Sequence, residues 1–139
     1  MSTREEAIEW IGKISACRPK SFFSKIDSSS RGSGFILFYL MKANHEVLAG
    51  ELAKKLGVST ARIAVLLKTM EKNGLIVRSH SASDARQTVV KLTQAGNDTA
   101  EQIKERIIEK TMLLLDQIGK ERLDEFVRIS NEIREVLGE

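Results

Sequence analysis

The 139-residue chain is poor in the residues that punctuate or cross-link a polypeptide: it holds one cysteine, one proline and nine glycines. With Cys17 alone, neither an intramolecular disulfide nor a cysteine-rich zinc site can form. So little proline and glycine excludes a collagen-like or low-complexity chain and favours long regular elements. Aromatic residues make up only 5%, so the core must be built from Leu, Ile, Val and Ala, which suits helices packed on helices. No apolar run approaches the ~20 residues that span a bilayer. The opening MSTREEAIEW is too acidic and too short of apolar residues for a secretory signal, so a cytoplasmic protein is expected, with no membrane partner. Enzyme signatures are missing too: there is no G-x-S-x-G elbow, no phosphate-binding glycine loop and no credible Cys/His pairing. A non-enzyme without cofactor is expected. His45 and His80 lie far apart in sequence with no second ligand at metal spacing, so no metal site is expected either.

What is present is an ordinary globular balance, 42% hydrophobic and 29% charged, at a length that fits one domain over 1–139. The net charge of +3 is unevenly spread. Residues 1–41 carry +2, residues 42–91 carry nine Lys/Arg against four Asp/Glu, and residues 92–139 carry seven against eleven. A basic island beside an acidic segment suggests a polyanion-binding centre flanked by parts with another task. A set of solvated helix faces is the plainer explanation of the same charges.

Helical spacing puts Ala7, Ile8, Trp10, Ile11 and Ile14 on one face of a helix over 3–16, opened by a Thr3/Glu6 capping box. Pro19 marks a break or the first turn of a new helix, PKSFFSKI, and DSSSRGSG (27–34) reads as loop. FILFYLMKAN (35–44) reads as a buried helix, with a buried strand as the competing reading. GELAKKL (50–56) forms a short helix ended by Gly57, and Ser59 caps a second, TARIAVLLKTMEKN, ended by Gly74. LIVRSHS (75–81) and QTVVKLT (87–93) are β-prone, with Ile76/Arg78 and Val89/Lys91 suggesting opposed faces and ASDAR (82–86) between them as a hairpin tip. Beyond Gln94 the pattern is helical again. Ile103, Ile107, Leu114 and Ile118 mark one helix that Gly119 breaks, and Leu123, Phe126, Ile129, Ile133 and Val136 mark the last.

This order (helix, short helix, tight turn, helix, hairpin) is a helix-turn-helix followed by a wing. Ala53 permits close helix crossing, Gly57 the sharp turn, and Ile63 with Leu66 pins the second helix so that its other face projects outward. A helix so held fits the major groove of B-DNA, about 12 Å wide. A helical hairpin without a ligand explains the A-x3-G-x5-I spacing alone equally well; the hairpin tips the reading toward DNA.

Three stretches, ELAKKLGVS (51–59), LLKTMEKNGLI (66–76) and DARQTVVKLTQAG (84–96), resemble the MarR family of winged helix-turn-helix regulators. The last is similar to the family's wing signature, D-x-R followed by a strand ending in L-T-x-x-G. The resemblance covers roughly 35–100. It implies a mainly α fold with a small antiparallel β-hairpin wing: a winged helix-turn-helix at 35–95, flanked at 1–34 and 96–139 by dimerisation helices and a connecting loop. It further implies a homodimer on double-stranded DNA, with Arg86 entering the minor groove and Asp84 bracing the wing tip. The chain differs from the family in carrying Ala61, Ala64 and Val65 on the outer face of its recognition helix. Base readout therefore falls to Thr60 and Arg62, with methyl contacts from Ala61 or Ala64, while Ser59, Lys68 and Lys72 match phosphate contacts. Leu48, Ala49 and Gly50 offer no side-chain cap to the first motif helix, and Pro19 and the 27–34 loop interrupt what is usually one long first helix.

The function so implied is a ligand-responsive repressor binding a pseudo-palindromic operator, its small-molecule effector unidentified. Two alternatives stand beside it. One is a winged-helix protein-interaction module, suggested by the apolar recognition face. The other is a redox-sensing regulator using Cys17, whose neighbours Arg18 and Lys20 would favour the thiolate; against it, a lone cysteine is more often a small buried apolar residue. Phe22, Phe23, Phe35, Phe38 and Tyr39 read as core residues that could instead line an aromatic effector pocket.

Overall fold

The computed structural model describes residues 1–17 and 31–139. Pro19, the PKSFFSKI segment, residues 27–30 and the pair Arg18 and Lys20 lie outside the described residues. Among the described residues the helices are α1 (Arg4–Cys17), α2 (Arg31–Lys42), α3 (Ala49–Leu56), α4 (Thr60–Lys72), α5 (Gln94–Ile118) and α6 (Lys120–Leu137). The strands are β1 (Val47–Leu48), β2 (Ile76–His80) and β3 (Thr88–Leu92). The chain divides into two compact units, Met1–Asp27 with Lys104–Glu139, and Ser28–Ile103.

In the first unit α1 opens as its sequence predicts. Thr3 N–H donates to Glu6 Oε2 at 2.8 Å and Glu6 N–H donates to Thr3 Oγ1 at 3.2 Å, a reciprocal capping box. Ala7, Trp10, Ile108, Leu115 and Leu123 form the core, flanked by Ile11, Ile14, Met112 and Val127. Polar ties surround it. Arg4 grips Glu105 with both terminal nitrogens at 2.5 and 2.6 Å, Lys120 pairs with Glu6, and Arg134 donates to the Ala16 carbonyl at 2.6 Å in the last turn of α1. The buried face of α5 here is Ile108, Thr111 and Leu115. Ile107, Leu114 and Ile118, the stripe its spacing singles out, stay exposed, as do Phe126, Ile129 and Val136 on α6. Each helix therefore carries more apolar surface than its own unit covers.

In the second unit Ile36, Leu37, Leu52, Ile63, Leu67, Met70, Ile76, Val90 and Ala100 build the core. FILFYLMK is helical, as read, but the helix begins earlier: RGSG, read as loop, forms the first turn of α2. Gly32 serves packing there, since a Cβ at that position would stand 2.8 Å from Leu66 Cδ2. The sheet has three antiparallel strands in the order β1-β3-β2, one more than the expected hairpin. Val47 pairs with Val90 and Leu48 with Val89, while β2 and β3 run from Ile76↔Leu92 to His80↔Thr88. Residues two apart on a strand share a face. Arg78 therefore follows buried Ile76 to the same side of the sheet, where opposed faces had been expected.

Candidate nucleic-acid interface

Helices α3 and α4 are joined by a turn that Gly57 makes possible. Its φ of 68° and ψ of 35° place it in the left-handed region, which costs glycine nothing. Val58 N–H donates to the Ala53 carbonyl at 3.0 Å and Gly57 N–H to Lys54 O at 3.2 Å, the paired bonds that close a Schellman motif. Ala53 is buried beneath the turn. The start of α3 has no side-chain cap at Leu48, matching the sequence reading. Glu51 in its first turn supplies negative charge to the helix N-terminus instead. That carboxylate accepts a hydrogen bond from the Tyr39 hydroxyl of α2 and meets His45 Nε2 at 2.8 Å. The Tyr39 hydroxyl, then His45, hold it below the ordinary carboxylate range, and the same bond raises the Tyr39 phenol.

Ser59 caps α4, its Oγ accepting from Arg62 N–H at 3.1 Å. Ile63, Leu67 and Met70 are buried, which turns Ala61, Ala64, Val65 and Lys68 outward. Val65 is 68% exposed. Helix geometry of about 100° per residue puts Thr60 and Ala64 on the flank nearer the wing and Arg62 on the other flank. Lys72 lies on the outward face in the last turn.

The wing is fixed to α4 and to α5 by separate devices. Glu71, near the end of α4, accepts from the Arg78 backbone N–H at 2.9 Å and from its guanidinium at 3.1 Å. The guanidinium bond first, then the backbone bond, holds the Glu71 carboxyl below its ordinary range. At the wing's base Thr93 donates through Oγ1 to Gly74 O at 2.5 Å and through its N–H to Leu75 O at 3.1 Å. The same hydroxyl accepts from Gly96 N–H at 3.0 Å, which caps α5. Gly96 is needed for close approach: a Cβ there would stand 2.0 Å from Leu75 O. These bonds give the L-T-x-x-G pattern its physical meaning.

At the tip Asp84 Oδ1 accepts from Arg86 N–H at 3.0 Å, and Gln87 N–H donates to Asp84 O at 3.0 Å. Asp84 thus acts on the backbone that carries Arg86, through a local turn of the kind aspartate favours. Arg86 is exposed, and with Arg78, Lys54, Thr60, Ala64 and Thr88 it lines a cleft of about 660 Å³ between α4 and the wing. The structure therefore brings Thr60 and Arg86 to one cleft and sets Ala61 and Lys68 on the outward face beside it. Ser59 stands at the head of the helix, and Arg62 is on its far flank. Lys54, Arg78 and Thr88 are cleft residues that the sequence reading did not name for the site; for Arg78 its position two residues after buried Ile76 was the available signal.

Among the described residues no three His, Cys, Asp or Glu side chains gather as metal ligands, and no helix is long and apolar enough to cross a membrane. His45 is engaged with Glu51, and His80 is exposed on the wing opposite Thr88.

A short helix, a left-handed turn, a second helix with an outward face and a hairpin tied to it define a winged helix-turn-helix, the DNA-reading unit of many transcriptional regulators. The model of the MarR family matches residues 33–87. The HTH-type transcriptional repressor YetL of Bacillus subtilis is 30% identical over 109 residues, which cover 78% of this chain and 65% of that protein. The chain thus spans somewhat less than two thirds of that relative. The heme sensor PefR of Streptococcus agalactiae, solved with heme, superposes with a TM-score of 0.65 at 24% identity, over 83% of this chain and 80% of that one. Staphylococcus aureus MepR in complex with DNA superposes with a TM-score of 0.58 at 23% identity, over 90% and 94%. Over residues 33–87 the chain is similar to the MarR family. Its sequence relatives are HTH-type transcriptional regulators, and the fold described above is shared with MepR, which was solved with DNA.

Proposed function

We propose that the chain is a sequence-specific DNA-binding regulator, a homodimeric repressor that a small-molecule effector releases from a pseudo-palindromic operator. The observation that carries this reading is that Thr60 and Ala64 of α4 line one cleft with Arg86 of the wing, beside the outward face of the helix and in the basic part of the sequence. The naming of YetL as a repressor and the DNA complex of MepR support it. Thr60, Ala61 and Arg62 meet base edges in the major groove, Ser59, Lys68 and Lys72 meet phosphates, and Arg86, on the turn braced by Asp84, enters the minor groove. The work is binding, without an enzymatic step.

The apolar side chains left exposed on α5 and α6 support dimerisation through 1–34 and 96–139, with 35–95 reading DNA. A two-fold dimer sets its half-sites about 34–36 Å apart. For the effector, a groove of about 440 Å³ offers Phe35, Phe38, Tyr39, Lys42 and His45, a lining suited to a planar aromatic anion. Glu51 links its Tyr39 and His45 to α3. Release requires a ligand that prefers a conformation in which the two recognition helices no longer match the half-sites.

The test is fluorescence anisotropy against DNA from upstream of the protein's own gene, beside scrambled DNA, at several salt concentrations. Specific binding that falls steeply with salt is expected, because phosphate contacts release counterions. Binding that ignores salt, or none at low salt, refutes the reading and favours a protein-interaction module, for which exposed Val65 is the specific observation. The redox alternative has weaker support: Cys17 is 1% exposed and its thiol donates to the Ile14 carbonyl at 3.2 Å.

A further inference from the structure

We infer, on the footing of the DNA-binding reading, that the recognition helix reads its operator through thymine methyl groups. Ala61, Ala64 and Val65 form a continuous methyl surface that selects thymine-rich, A·T-type half-sites. In a helix-turn-helix the first turns of the second helix reach the base edges. In α4 those turns present Ala61, Ala64 and Val65 outward, all three exposed, while Ile63 and Leu67 are turned into the core. At about 100° per residue the three span a single arc of the helix, bounded by Thr60 on the wing side and Arg62 on the other. The arc itself holds no hydrogen-bonding side chain until Lys68, nearly two turns from Ala61.

A major-groove edge displays donors, acceptors and one apolar group, the C5-methyl of thymine. Against donors and acceptors an alanine or valine leaves polar groups dehydrated without partners, which is unfavourable. Against a thymine methyl it removes apolar surface from water on both sides. Short side chains also let the helix axis approach the base edges closely.

Charge argues for DNA as the occupant. Lys68 and Lys72 share the outward face of α4 with the arc, and Lys54 and Arg86 line the cleft beside it, all of them exposed. A protein partner would call for the large anchors that interface cores favour, and this arc has none.

The test has two stages. A random-sequence duplex library is first selected on the full-length protein, and the enriched site is sequenced. Each thymine of that site is then replaced singly by deoxyuridine, which keeps every hydrogen-bonding group and removes only the methyl. Loss of about three- to fourfold in affinity is expected at two or more adjacent half-site thymines, the worth of one buried methyl. Val65→Ala, an exposed change to a better helix former, should abolish that loss at one thymine and leave the salt dependence unchanged. An enriched site whose affinity is indifferent to every deoxyuridine overturns the methyl readout while leaving the DNA reading intact. Failure to enrich any sequence overturns both and returns the arc to a protein-docking role.

Discussion

Gly96→Ala introduces one methyl group at the point where α5 starts against the wing's base. That carbon would stand 2.0 Å from the Leu75 carbonyl oxygen and 3.1 Å from Leu92 Cδ2. Ordinary carbon–oxygen contact begins at about 3.3 Å, so backbone must move by roughly 1.3 Å. Leu75 O cannot swing aside freely, because it accepts the Thr93 N–H at 3.1 Å. Overpacking of this kind costs about 1–3 kcal/mol, and a weakened hydrogen bond adds about 1 kcal/mol. At about 2–4 °C per kcal/mol for a chain of this size, Tm should fall by roughly 5–15 °C. The measurement is thermal unfolding by circular dichroism with Gly12→Ala as companion. Gly12 is exposed in α1 with no atom within 4 Å of an added Cβ. That change should stabilise by about 0.5–1 kcal/mol, through helix propensity. If the two variants melt together, close approach is not what requires glycine at position 96.

Thr93→Val keeps shape but removes the hydroxyl bonds to Gly74 O and Gly96 N–H; a loss of about 1–2 kcal/mol in chemical denaturation is expected, and an unchanged midpoint would refute the cap. Glu51 is held below its ordinary value of 4.5 by Tyr39 and then His45. Its stabilisation is therefore present above that value and lost as pH falls through the lower folded value. Glu51→Gln should make the acid-side decline of Tm shallower in that window, though Glu6, Glu71, Glu105 and Asp116, lowered by their own partners, still contribute. Arg86→Ala should weaken operator binding by about ten- to a hundredfold at fixed salt without moving Tm, and retained affinity would remove the wing from the interface.

Features dictated by neighbours in sequence were legible. Thr3 and Glu6, Gly57 and Val58, and Ser59 and Arg62 each close their bonds within three to five residues, so spacing alone exposes them. The burial of Ile63, Leu67 and Met70 follows from the helical period, which is why the outward face of α4 could be named from sequence. Features made by tertiary partners were not legible. β1 is two residues long, too short to show alternation, and exists because β3 offers an edge. Gly32 looks like a loop residue until Leu66 is seen against it. On α5 two apolar stripes compete, and only the packing of α1 and α6 decides that Ile108 and Leu115, rather than Ile107 and Leu114, face the core. The site divides in the same way. Thr60, Ala64 and Arg86 could be named singly, whereas the cleft that joins them, with Arg78 in it, depends on strand register and on Glu71.

Under the proposed DNA-binding function, the two bonds between Glu71 and Arg78 also bear on how a duplex would be chosen. They clamp the hairpin to the far end of α4 before any nucleic acid arrives, so the spacing between the two probing elements belongs to the protein. Little conformational entropy is then left to lose at that joint on binding. The burden of adjustment passes to the duplex, and sequences differ in what such bending or groove narrowing costs them. On that reading, base pairs that no side chain touches would be weighed by a gauge of fixed width.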